Sequence, residues 1–146
     1  MDFSFGQLML ILFALMVMQV VGTHWQVREY RRAVRRLHKL GNLGIGSRRR
    51  RLGPGNVVII ACDKEGRITG GEMMQGMTIF AHFHALEDIA GKTIHSLKAE
   101  YLDMPPKRRS YYQGHIQALD ALEARLVRAA EEVGAEAGAD MPGVQA

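Results

Sequence analysis

The chain has 146 residues, is 47% hydrophobic and carries a formal net charge of +4. That length accommodates one small domain with appendages and excludes two substantial cores. A single cysteine, Cys62, excludes an internal disulfide and suits a reducing compartment.

From Phe3 to Val21 the only polar side chains are Ser4, Gln7 and Gln19, and Leu8 to Met18 is an unbroken apolar run. A helix from Phe3 to Trp25 spans roughly 30 Å, about one hydrocarbon core, so residues 1–22 read as a transmembrane helix. A cleavable signal peptide is disfavoured, because only Asp2 is charged ahead of the run and no small-x-small site follows it. A soluble core helix would not be so uniformly apolar all round. Arg28, Arg31, Arg32, Arg35, Arg36 and Lys39 all lie downstream. The positive-inside rule therefore predicts a single-pass protein of the bacterial inner membrane with its C-terminal domain in the cytoplasm. Trp25 and Tyr30 are expected at the membrane interface, next to His24.

Residues 23–41 are predicted to continue as a basic amphipathic helix. Val27, Tyr30, Val34, Leu37 and Leu40 recur at helical spacing, bases fill the other faces, and Gly41 closes the helix. Residues 42–56 read as a flexible Gly/Arg-rich linker, with Gly44, Gly46, Gly53, Pro54 and Gly55 around Arg48, Arg49, Arg50 and Arg51. These glycines match no dinucleotide or phosphate-loop fingerprint. The ten bases from Arg28 to Arg51 face a single acid, Glu29, and make up more than half of the 19 Lys and Arg. They are the candidate contacts for anionic lipid headgroups, at about 1 kcal/mol per base near a membrane surface, or for nucleic-acid phosphates.

Residues 57–104 are expected to form a small antiparallel β-meander. Val57 to Cys62 is a β-branched strand, Asp63 to Gly66 a hairpin turn, Arg67 to Met74 the return strand and Met77 to Phe83 a third. Ala85 to Ala90 reads as a short helical turn ended by Gly91, and Lys92 to Leu97 as a further extended piece. Residues 105–133 predict a C-terminal amphipathic helix after Pro105 and Pro106, with Tyr112, Ile116, Leu119, Leu122, Leu126 and Ala130 on one stripe. The stripe fits a face packed on the sheet or a self-association seam. Residues 134–146 read as a disordered tail. The fold class is therefore α+β.

Candidate chemistry is sparse. His82 and His84 share a strand face, with His95, Cys62 and Asp88 as conceivable co-ligands, but nothing in the sequence makes them converge. Gly91-Lys92-Thr93 is not a phosphate loop, because Leu86 stands where the motif needs glycine. No catalytic residue, metal or cofactor is predicted, and the chain reads as a non-enzyme.

The N-terminal span, Trp25-Gln26, Arg32-Ala33, Leu37, Gly41-x-x-Gly44-x-Gly46, Pro54, the strand ending at Ala61 and Asp63, Arg67-Ile68, Met74-x-Gly76-Met77-Thr78-Ile79-Phe80-Ala81, and Gly91 with His95 and Leu97 occur in an order that resembles the glucitol operon activator (GutM) family over about residues 8 to 97. The resemblance implies a small protein tied to sugar-alcohol uptake by the phosphotransferase system and acting as transcriptional activator of that operon. The Arg48 to Arg51 cluster and the long C-terminal helix depart from the family pattern. Two readings follow: a membrane-anchored transcriptional regulator, or an accessory or scaffold subunit of a sugar-alcohol transporter that affects expression indirectly. The sequence contains no evident groove-reading helix pair, so DNA contact is expected to be nonspecific or to pass through a partner.

Overall fold

A computed structural model describes residues 4–49, 55–76 and 81–139. It is α+β: α1 (Phe5–His38), then a four-stranded antiparallel sheet of β1 (Asn42–Arg48), β2 (Asn56–Cys62), β3 (Ile68–Gln75) and β4 (Phe83–Ala85). A 3-10 turn at Glu87–Ile89 leads to α2 (Ile94–Leu102), α3 (Pro106–Tyr111) and α4 (Gln113–Ala139). The sheet is a simple meander in the order β1-β2-β3-β4.

The apolar and basic segments form one uninterrupted helix of 34 residues, α1. Ser4 and Gln7 close a capping box at its start. At the far end Lys39 caps the helix, and Gly41 at φ 140° turns the chain into β1. The first half of α1 is exposed and predominantly apolar on every side, with Leu10 72% and Phe13 65% exposed. It is the one helix among the described residues long and apolar enough to cross a membrane.

The last turns of α1 instead build a core. Ala33 and Leu37 are buried against Leu43, Ile59 and Ala61, flanked by Tyr30, Val34 and Phe83. On the opposite face of the sheet Val58, Ile60 and Cys62 meet Leu97 of α2 and Ala118, Leu119 and Leu122 of α4. Alternate residues of β2 thus enter two different cores, which is why Val57–Cys62 reads as a continuous apolar run rather than an alternating one.

The expected linker at 42–56 is replaced over its first half by a strand, since Asn42 to Arg48 pair residue by residue with Cys62 to Asn56. The glycines there serve proximity rather than freedom. A Cβ on Gly44 would overlap the Ala118 carbonyl and one on Gly46 the Gly114 carbonyl, so α4 lies on β1 at backbone distance. Lys92 to Leu97 is likewise not extended beyond its first residues. Thr93 accepts a hydrogen bond from the Ser96 N–H at 3.2 Å and starts α2, whose Ile94, Leu97 and Tyr101 share one buried side. The helix expected at 105–133 is two, α3 and α4, separated at Tyr112. Residues 134–139 extend α4 instead of starting a disordered tail, in keeping with their alanine and glutamate content. Arg50 to Pro54, Met77 to Phe80 and residues 140–146 lie outside the described residues.

A candidate anion-binding face

The structure divides the predicted basic residues by role. Arg36 is committed to the fold: its Nε and Nη2 donate to both carboxylate oxygens of Glu72 on β3, at 3.0 and 2.9 Å. This forked pair strengthens the ionised guanidinium and fastens α1 to the sheet. Arg32 pairs with Glu29 at 2.9 Å along the helix surface, and Arg35 Nε donates to the Arg31 carbonyl at 3.3 Å. Arg28, Arg31 and Lys39 are exposed on α1. Tyr30, expected at the membrane interface, packs on Phe83 with ring centroids 6.3 Å apart, whereas Trp25 is exposed.

Arg48 ends β1 opposite Asn56, and the exposed Arg49 follows it at the start of the β1–β2 connection. Arg48 Nη2 donates to Ser110 Oγ at 2.8 Å, and Tyr111 at the end of α3 donates from its hydroxyl to Gln75 Oε1 at 3.3 Å. These contacts bring the exposed Lys107, Arg108 and Arg109 of α3 to the same end of the sheet. Sequence reading missed this second basic run. Its signal was visible, three bases after a double proline, but nothing local said which residues it would join. Arg50 and Arg51 fall outside the described residues.

The histidines do not assemble. His82, His84 and His95 are exposed, and Cys62 is buried on the sheet's α4 side, its thiol pushed up by burial and by the neighbouring Asp63. No group of three metal-ligating side chains occurs among the described residues. Lys98 of α2 reaches Asp120 at 2.7 Å and Glu123 at 2.8 Å on α4, which raises the Lys98 ammonium and lowers the Glu123 carboxyl. This is a clip between helices, and the exposed His95 Nδ1 lies 3.7 Å from the same Glu123 carboxylate.

His115 is the unusual core residue, 2% exposed and set edge-on against the stacked rings of Tyr101 and Tyr112. Burial pushes its pKa down to about 4, so the imidazole is neutral near pH 7. It lines a cavity of about 450 Å³ with Met73, Ile89 and Tyr112.

The family model described as glucitol operon activator protein (GutM) matches residues 7–111, from the first turn of α1 to the end of α3. The glucitol operon activator protein of Escherichia coli (strain K12) is 36% identical over 67 residues, which cover 46% of this chain and 56% of that protein. The chain thus spans little more than half the length of the curated relative it matches. No solved structure matches it.

Proposed function

The chain belongs to the glucitol operon activator family, and from that premise we propose that it is a single-pass protein of the bacterial inner membrane whose cytoplasmic domain raises expression of a sugar-alcohol phosphotransferase operon through a protein partner, without catalysis and without reading DNA bases itself. The observation that carries this reading is the continuity of α1, which runs without interruption from an apolar rod exposed on all sides into the core beneath the sheet. A helix so placed holds the domain beside the bilayer and leaves its basic surface short of room for a duplex.

The other long helix is no better suited to a groove. The N-terminal half of α4 is pressed on β1, and its last exposed turns carry Glu131, Glu132 and Glu136, which repel phosphates. A second reading is an accessory or scaffold subunit of the transporter; Val127 and Val133 of α4 are exposed, on different faces of the helix.

The test is a salt titration of the full chain in lipid nanodiscs against the operator duplex and a scrambled duplex of equal length. Weak binding that falls steeply with salt and shows little operator preference is expected. A preference of roughly a thousandfold at physiological salt requires base contacts and overturns the partner-mediated reading. A reporter fused after Ala146 should be active only in the cytoplasm; periplasmic activity overturns the orientation.

A further inference from the structure

The strands and α1 fix which end of the domain faces the bilayer. Leu37 and Leu40 approach Gly70 near the β2–β3 turn, whereas Tyr30, two turns nearer the apolar segment, reaches Phe83, which pairs with Met74 near the opposite end of the sheet. β1 therefore runs back toward the start of α1, and α4 runs away from it, from Gly114 beside Gly46 to Leu126 beside Gly66. Met74 is level with Val57 and Ser47 across the sheet, so Arg48 and Arg49 lie one and two residues beyond the level of Tyr30. At about 3.3 Å per strand residue this recovers roughly 7 Å, the rise of about five helical residues, and returns Arg49 to the level of Trp25.

The same end carries Lys107, Arg108 and Arg109, held there by the Arg48–Ser110 bond. No acid occurs from Tyr30 through Cys62 or from Met104 through Leu119, while Asp63 and Glu65 stand at the far end of the sheet. Glu29 of α1 is the acid at this level, and it is paired with Arg32 at 2.9 Å.

We propose that this basic end, with Arg48, Arg49, Lys107 and Arg108 as its contacts, lies against the cytoplasmic leaflet and holds the phosphates of anionic lipids. The domain is then folded back along α1 onto the membrane. The proposal rests on the anchored reading above and adds an orientation to it. A bilayer is the partner that fits, because the same helix that carries the apolar span sets these bases at its surface, within about one Debye length of the headgroups.

The experiment places a fluorescent label at Gln113→Cys, beside the basic end, or at Glu65→Cys, at the far end; both sites are exposed, and the native Cys62 is buried and stays unlabelled. The full chain goes into nanodiscs of phosphatidylcholine, alone or with one-third phosphatidylglycerol, containing a lipid with a headgroup nitroxide quencher. Quenching at 113 should exceed that at 65 several-fold in anionic discs. It should fall when Arg48, Arg49, Lys107 and Arg108 are changed to Gln, and persist when the three arginines are changed to Lys. Equal quenching at the two sites, or quenching indifferent to anionic lipid and to the Gln changes, overturns the docking while leaving the anchor standing. Release of the chain from liposomes by alkaline carbonate overturns the anchor, and the docking with it. Loss of quenching on adding an operator duplex at physiological salt would reassign the face to DNA and overturn the proposal.

Discussion

The two helices that flank the sheet hold it by different means. α4 is fused to β1 at backbone distance through Gly44 and Gly46 and buries Ala118, Leu119 and Leu122 over the larger core. α1 touches the other face through fewer side chains, chiefly Ala33 and Leu37, supported by one forked ion pair. The difference separates two kinds of contact: α4 covers the larger core along most of β1, and α1 reaches the sheet only with its last turns.

The sharpest break of this comparison is Gly46→Val. The new side chain meets the Gly114 carbonyl and the Ala118 N–H, so α4 must leave the sheet. A loss above about 4 kcal/mol is expected, in the exceptional range for one substitution, read as absence of a cooperative urea transition. A variant that unfolds normally would show that the contact is slack.

Acid should loosen the α4 side next. His115 is neutral in the fold with a pKa near 4, against about 6.5 in an unfolded chain, so its contribution is fully present above pH 6.5 and is lost as pH falls from there to 4. The shift corresponds to roughly 3 kcal/mol. The urea midpoint should drop over that window, and His115→Phe should flatten the profile; an unchanged slope in that variant would place the titration elsewhere.

Leu37→Ala on the α1 side should cost about 2 kcal/mol, at the low end for a buried leucine, because the smaller cluster there relaxes more readily. Amide exchange should rise in the last two turns of α1 and at β4 while α4 stays protected. Equal loss of protection on both faces would erase the distinction. Glu72→Gln is the mildest change, about 0.5–1 kcal/mol, because Arg36 is more than half exposed and water screens the pair. Its mark should be a wider range of angles between α1 and the sheet, measured by spin-label distances, with almost no shift in the unfolding midpoint.

Much of this architecture was legible because hydrophobic runs and turn chemistry are local. The apolar helix, β2 and the Asp63–Gly66 hairpin followed from residues that carry their own signal; Asp63 Oδ1 accepts from the N–H groups of Glu65 and Arg67, as its turn position implies. β1 was missed because its glycines mimic a linker, although Gly44 and Gly46 alternate with Leu43 and Ile45 at the period of a strand. α2 was hidden by the β-branched Thr93 and Ile94, in a place where the threonine hydroxyl serves as a cap. The basic residues were easy to find and hard to assign. Whether an arginine is consumed by a partner, as Arg36 is by Glu72, or joins a run 59 residues away, as Arg48 joins Lys107, depends on tertiary contacts with no local trace.

The 34 residues of α1 contain no proline and no break, and their last turns are locked to β3 by Arg36 and Glu72. Mechanically this is a shaft keyed to its load. Turning it by one residue of helical phase, about 100°, swings the whole sheet through the same angle, and no joint along its length absorbs the motion. Anything that held the apolar segment would therefore also set the direction in which the sheet points.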